Sequence, residues 1–153
     1  MPQQGPTREQ VFGALYSLLY RNVQGVAFYS RRFALPAKIP SGETIPGACK
    51  LMVWEQPEHT TRKGGTPIKN RVWEAWVVVY FRNDQKDVPG ATIINPIIDS
   101  IETLLEPPFG TPAQTLGGLV NACWIEGETL KETGDTDETG LGGCVVRVHI
   151  LVP

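Results

Sequence analysis

The sequence predicts an α+β domain, a mostly antiparallel sheet of about four or five strands with two main helices packed on one face. Three observations lead there. Apolar residues recur at helical spacing near the start of the chain and again around residue 100. The runs RVWEAWVVVYFR (71–82) and GGCVVRVHILV (142–152) are long and rich in β-branched and aromatic residues. The elements come in the order helix, irregular segment, two strands, helix, two strands, an order that suits an antiparallel sheet with its helices gathered on one side.

Taken in order, residues 1–6 read as a flexible tail, and residues 7–153 as one domain. Thr7 and Gln10 fit a capping box. Behind it Val11, Leu15, Leu18 and Leu19 repeat at helical spacing, so a first helix is expected over about 7–22. Residues 23–47 mix short apolar patches with prolines and glycines, and are expected to wander, with one short strand near Ala27–Arg31. ACKLMVWEQ (48–56) reads as a strand. Residues 57–70 read as a projecting hairpin loop, because Gly64, Gly65 and Pro67 break regular structure.

The strand at 71–82 is apolar on both faces. Trp73, Ala75, Val77, Val79 and Phe81 share one, and Val72, Trp76, Val78 and Tyr80 the other. A strand buried on one face alternates apolar with polar residues. The second face is therefore expected to be covered as well, by the second helix or by another subunit. Asn95 and Pro96 make a good cap and first-turn pair, although a start near Ala91 also fits. Ile94, Ile97, Ile98, Ile101, Leu104 and Leu105 form one stripe, and Pro107 with Pro108 stops that helix. A third strand lies within 118–131, and residues 131–141 form a second projecting loop. In the last strand Cys144, Val146, Val148, Ile150 and Val152 face inward, while Arg147 and His149 face out.

The chain has 153 residues, enough for a real core. Hydrophobic residues make up 41% and charged residues 20%, so the composition is that of an ordinary globular domain. The formal net charge of -2 means that the surface as a whole is not built for nucleic acid or acidic membranes. Any electrostatic role must come from local patches. The N-terminus is polar, with no apolar signal core, and no run approaches a membrane span. Cys49, Cys123 and Cys144 are odd in number and unpaired in spacing, and read as buried reduced thiols of a cytosolic protein. Trp54, Trp73, Trp76 and Trp124 suit a core or an interface, with the core favoured.

Searches for chemistry return little. His59, His149 and the three cysteines show no zinc spacing, so no metal is expected. There is no nucleophile elbow and no phosphate-binding glycine motif. A Cys123 or Cys144 thiol with a histidine remains an enzymatic alternative. Glu126 and Glu128, two apart on an expected strand, read as a solvated edge rather than an acid–base pair.

Two charged features stand out. The hairpin 57–70 and its exit carry His59, Arg62, Lys63, Lys69 and Arg71. The loop 131–141 carries Glu132, Asp135, Asp137 and Glu138. Both could be solvated tips. As docking devices they would give register and specificity to a contact between unlike patches on neighbouring copies. The basic arm could also meet nucleic acid phosphates.

The order of these blocks resembles the tail terminator proteins of long-tailed bacteriophages, also called minor tail or tail completion proteins. The blocks are REQVFGALYSLL, FYSRRF, LMVWEQPEHT, RKGGTPIKNR, VWEAWVVVYF, INPIIDSIETLLEP and, most specifically, TLGGLV, CWIEGE and a final strand ending in ILVP. They span residues 7–153. The resemblance implies a structural virion protein, not an enzyme, that uses no cofactor. Its α+β subunits would form a ring, usually a hexamer, at the head-proximal end of the tail. The ring would be assembled in the bacterial host cytoplasm, end tube polymerisation and join tail to head. Its partners would be the tail tube protein, a head-completion or connector protein, and DNA passing through the lumen without sequence-specific binding. Arg62, Lys63, Lys69 and Arg71 would then be a subunit or partner interface. Glu132, Asp135, Asp137 and Glu138 would line an interface or the lumen. The alternatives are a head–tail connector or tube protein and, from another class, a cysteine-dependent enzyme or a DNA-binding module.

Overall fold

The capping box forms at the first helix. The Thr7 hydroxyl accepts the Gln10 backbone N–H at 3.2 Å, and the Gln10 side-chain oxygen accepts the Thr7 N–H at 2.9 Å. In this computed structural model residues 5–44, 49–62, 64–65, 69–83, 85, 87–135 and 140–153 are described, Lys69 and Asn70 by backbone alone. The expected tail therefore falls mostly outside the described residues. Helix α1 spans Arg8–Leu19, shorter than the 7–22 read from sequence. Arg21 ends it by taking a left-handed backbone conformation, φ 61°.

The strands are β1 (Val26–Ser30), β2 (Cys49–Glu55), β3 (His59–Arg62) and β4 (Lys69–Arg82), then, after α2 (Ala91–Leu105), β5 (Ala122–Ile125), β6 (Leu130–Glu132) and β7 (Leu141–Val152). The main sheet runs β1-β2-β4-β7-β5, with β3 added beside β4 and β6 beside β7. All pairings are antiparallel except β1 with β2. The α+β class and the mostly antiparallel sheet stand as expected. Among the described residues the strands number seven, because the hairpin adds β3 and the segment after β5 adds β6.

Both helices pack on one face. The β4 residues Trp73, Ala75, Val77, Val79 and Phe81 meet the β7 residues Cys144, Val146, Val148, Ile150 and Val152 there. Val11, Phe12, Leu15 and Leu19 of α1 and Ile94, Ile97, Ile98, Ile101 and Leu105 of α2 close over them. Each fully buried Ile, Leu or Phe contributes about 1.5–3 kcal/mol of transfer free energy. This one layer accordingly supplies most of the driving force for folding.

Helix α2 begins at Ala91 with Gly90 as its cap residue, so Asn95 and Pro96 are not the start. Pro96 lies inside the helix and denies the Thr92 carbonyl its N–H partner. Thr92 is exposed, so water can take that role. Asn95 instead accepts a hydrogen bond from Lys131 Nζ at 3.0 Å. Pro107 follows the cap residue Glu106 and ends the helix as expected.

The second face of β4 is covered in part, and not by α2. Residues 33–39 fold across it, where Phe33, Ala34 and Ile39 pack on Met52 and Val78. Two short 3₁₀ turns, Pro36–Lys38 and Ser41–Glu43, shape this strap.

Candidate assembly surfaces

The basic hairpin is a built element. β3 pairs with β4 through His59–Val72, Thr60–Arg71, Thr61–Asn70 and Arg62–Lys69. At its tip Gly64 and Gly65 have φ of 38° and 71°, which a tight turn requires and side chains resist. All four β3 residues are exposed. The base is anchored, because Arg8 of α1 grips Glu58 with bonds of 2.6 and 2.7 Å. The same guanidinium lies 5.1 Å over the Trp73 ring. The two bonds from Arg8 hold the Glu58 carboxyl below its usual range.

The predicted basic residues divide by role. Arg62 is exposed, with no ion pair among the described residues. Arg71 is half-buried, donates to the Pro153 carbonyl and lies 5.7 Å over Trp73, so it ties the strand to the C-terminus. Lys63 and the Lys69 side chain lie outside the described residues.

The acidic loop serves in part as a structural tie. Asp135 Oδ1 accepts the Gly90 N–H at 2.9 Å, placing a carboxylate at the start of α2, where the helix dipole favours it. Glu132 is exposed and accepts the Gly134 N–H at 3.1 Å. Asp137 and Glu138 lie outside the described residues. The basic and acidic features sit at opposite ends of the β4–β7 ladder, since Arg71 pairs with Val152 and Arg82 with Leu141. Eleven strand steps separate them, roughly 35 Å at about 3.3 Å per residue.

The open sheet face carries an aromatic row that the sequence reading did not separate from the core. Only Trp73 is fully buried, whereas Trp54 is 37% exposed. Trp54, Trp76 and Arg147 share one cross-strand row. Phe33 stacks on Trp54 at 4.0 Å, Trp54 meets Trp76 edge-on at 5.6 Å, and Arg147 lies 5.1 Å over Trp76. Glu74 accepts the Trp76 indole N–H at 2.7 Å and faces His149 at 3.7 Å. Strand register, which sets this row, is not visible in a single run of residues.

A cleft of about 430 Å³ opens on the far edge, between the end of α2, the loop after it, and β5. Leu105, Pro112, Trp124 and Ile125 line it, together with the exposed Glu102 and Glu106. Buried Gln114 fixes its wall by donating to the Leu104 and Glu106 carbonyls, each at 3.3 Å. Glu126 and Glu128 lie beyond the end of β5 rather than on a strand. Glu126 accepts the Trp124 indole N–H, so the expected two-apart strand geometry does not form.

All three cysteines are buried. Burial pushes Cys49 up to about 11 and Cys123 and Cys144 to about 12, so they are protonated near neutrality. The thiols lie in the helix-covered core, while His149 belongs to the opposite face. The sheet therefore separates these thiols from the His149 imidazole. Among the described residues no group of three His, Cys, Asp or Glu side chains could hold a metal, and no helix is long and apolar enough to cross a membrane.

No protein-family model matches the sequence, and no curated protein matches it. Among solved structures the fold is similar to a chain from the virion of a native gene transfer agent (GTA) particle. The identity is 11%, the overlap covers 93% of this chain and 90% of that one, and the TM-score is 0.45.

Proposed function

We propose that this chain is a structural virion protein, a tail terminator. Copies join in a closed ring, a hexamer on the strength of the sequence resemblance, at the head-proximal end of a phage tail. There the ring ends tube growth, receives the head-completion protein and lets DNA pass without reading its sequence. The observation that supports this most is the hairpin. It is anchored at its base by Arg8 and Glu58, while its exposed β3 strand has, among the described residues, no strand partner on its outer side. An exposed edge strand invites association with another chain. A ring of identical copies needs two unlike surfaces, one giving and one receiving. The hairpin is the giving surface. The aromatic row on the open sheet face is a second contact surface, suited to the tube or the head-side partner by its Trp and Arg content.

Light scattering across a concentration series, with negative-stain images of the same sample, tests the reading. A discrete species near six times 16.8 kDa, with annular particles, is the expected result. Unlimited tubes would make the chain a tube protein. A monomer at every concentration would overturn self-assembly into a ring.

A further inference from the structure

We infer that the basic hairpin of one copy seats in the α2–β5 cleft of the next, with Arg62 against Glu102 and Glu106. This rests on the ring reading and names its contact. At the end of the sheet that holds the C-terminus the strands run β3-β4-β7-β5, because His59 pairs with Val72, Val72 with Leu151, and Leu151 with Ala122. The hairpin and the cleft thus stand at opposite edges of one sheet and at one level. Three strand spacings, about 14 Å, keep a hairpin from its own cleft. The same two edges face each other when a second copy is placed alongside, which is the heterologous arrangement that closes a ring.

Charge and shape select the occupant. Between His59 and Trp73 the sequence carries His59, Arg62, Lys63, Lys69 and Arg71 and no acidic residue. The cleft offers the complement, a lining that joins the apolar Leu105, Pro112 and Ile125 to the exposed Glu102 and Glu106. Among the described residues no basic side chain pairs with Glu102 or Glu106. The cleft is preformed by Gln114, so little ordering is needed on binding. The Gln114 carbonyl also accepts the Cys123 N–H at 2.8 Å and closes part of the β5 backbone edge.

Two charge-reversed proteins test this, R62E/K63E and E102K/E106K. Arg62, Glu102 and Glu106 are exposed, and circular dichroism checks that each variant folds. Each variant alone places like charges across every interface, and association should weaken about a hundredfold, leaving monomer. An equimolar mixture restores opposite charges at every contact of an alternating ring, and the discrete oligomer should return. A wild-type oligomer that survives both variants, or a loss that mixing does not repair, overturns the hairpin-in-cleft contact and leaves the ring reading standing. A wild-type protein that never forms a discrete oligomer overturns both.

Discussion

The Arg8 guanidinium holds the Glu58 carboxylate through two hydrogen bonds, from Nε at 2.6 Å and from Nη2 at 2.7 Å, across fifty residues of chain. One residue opens α1 and the other immediately precedes the hairpin. The pair fastens the base of the hairpin to the start of α1.

Glu58→Gln should loosen that arm without unfolding the protein, because an exposed ion pair adds little to global stability. Trypsin cleavage after Arg62 or Lys63 should quicken while the melting temperature stays nearly constant. The pH dependence has a definite sign. A carboxyl held below its usual value contributes stability that is present above the ordinary glutamate pKa of about 4.3 and is lost as pH falls through the lowered value. Hairpin protection in the wild type should fall as pH drops through that lowered value, and the difference between wild type and Glu58→Gln should vanish below it. Equal cleavage rates for the two proteins at neutral pH would show that the grip does not set the arm.

Gly90 tests the join between the acidic loop and α2. A Cβ added there would lie 1.7 Å from the Thr133 carbonyl oxygen and 2.7 Å from its carbon, both backbone atoms that cannot rotate away. Gly90→Ala should destabilise by roughly 1–3 kcal/mol in urea titrations. Asp135→Ala removes the carboxylate on the Gly90 N–H and should cost about 1 kcal/mol, with Asp135→Asn milder because an acceptor remains. A neutral Gly90→Ala would mean that the loop and the helix start do not pack this tightly.

Much of this fold was legible in the sequence, for physical reasons that differ by element. The alternation of β7 and the capping box of α1 are local patterns, and both form as read. The start of α2 was not local. Of the two starts read from sequence the one near Ala91 forms, where Asp135, forty-five residues away, accepts the Gly90 N–H, and Asn95 with Pro96 fall inside the helix. The strap over Met52 and Val78 is built of 3₁₀ turns and prolines with no apolar period, which left its destination unreadable. Of the candidate site, the basic arm shows as a run of like charges. The cleft does not, because Glu102, Pro112 and Ile125 come from three separate pieces of chain.

The thiols provide the check on a non-catalytic reading. A reactive cysteine needs an accessible thiolate, and Cys49, Cys123 and Cys144 are buried and pushed up to about 11, 12 and 12. An unfolded thiol titrates near 8.5, so the native thiolate fraction at pH 8 is more than about a hundredfold lower. Iodoacetamide should label no cysteine of the native protein in minutes and all three in urea. A group whose folded pKa is raised contributes stability that is full below the unfolded value and is lost as pH rises toward the folded one. Urea midpoints should therefore hold to about pH 8.5 and decline steadily above it. Rapid native labelling of Cys123 or Cys144 would place a reactive thiolate where the structure shows a core, and the cysteine-dependent reading would displace the structural one.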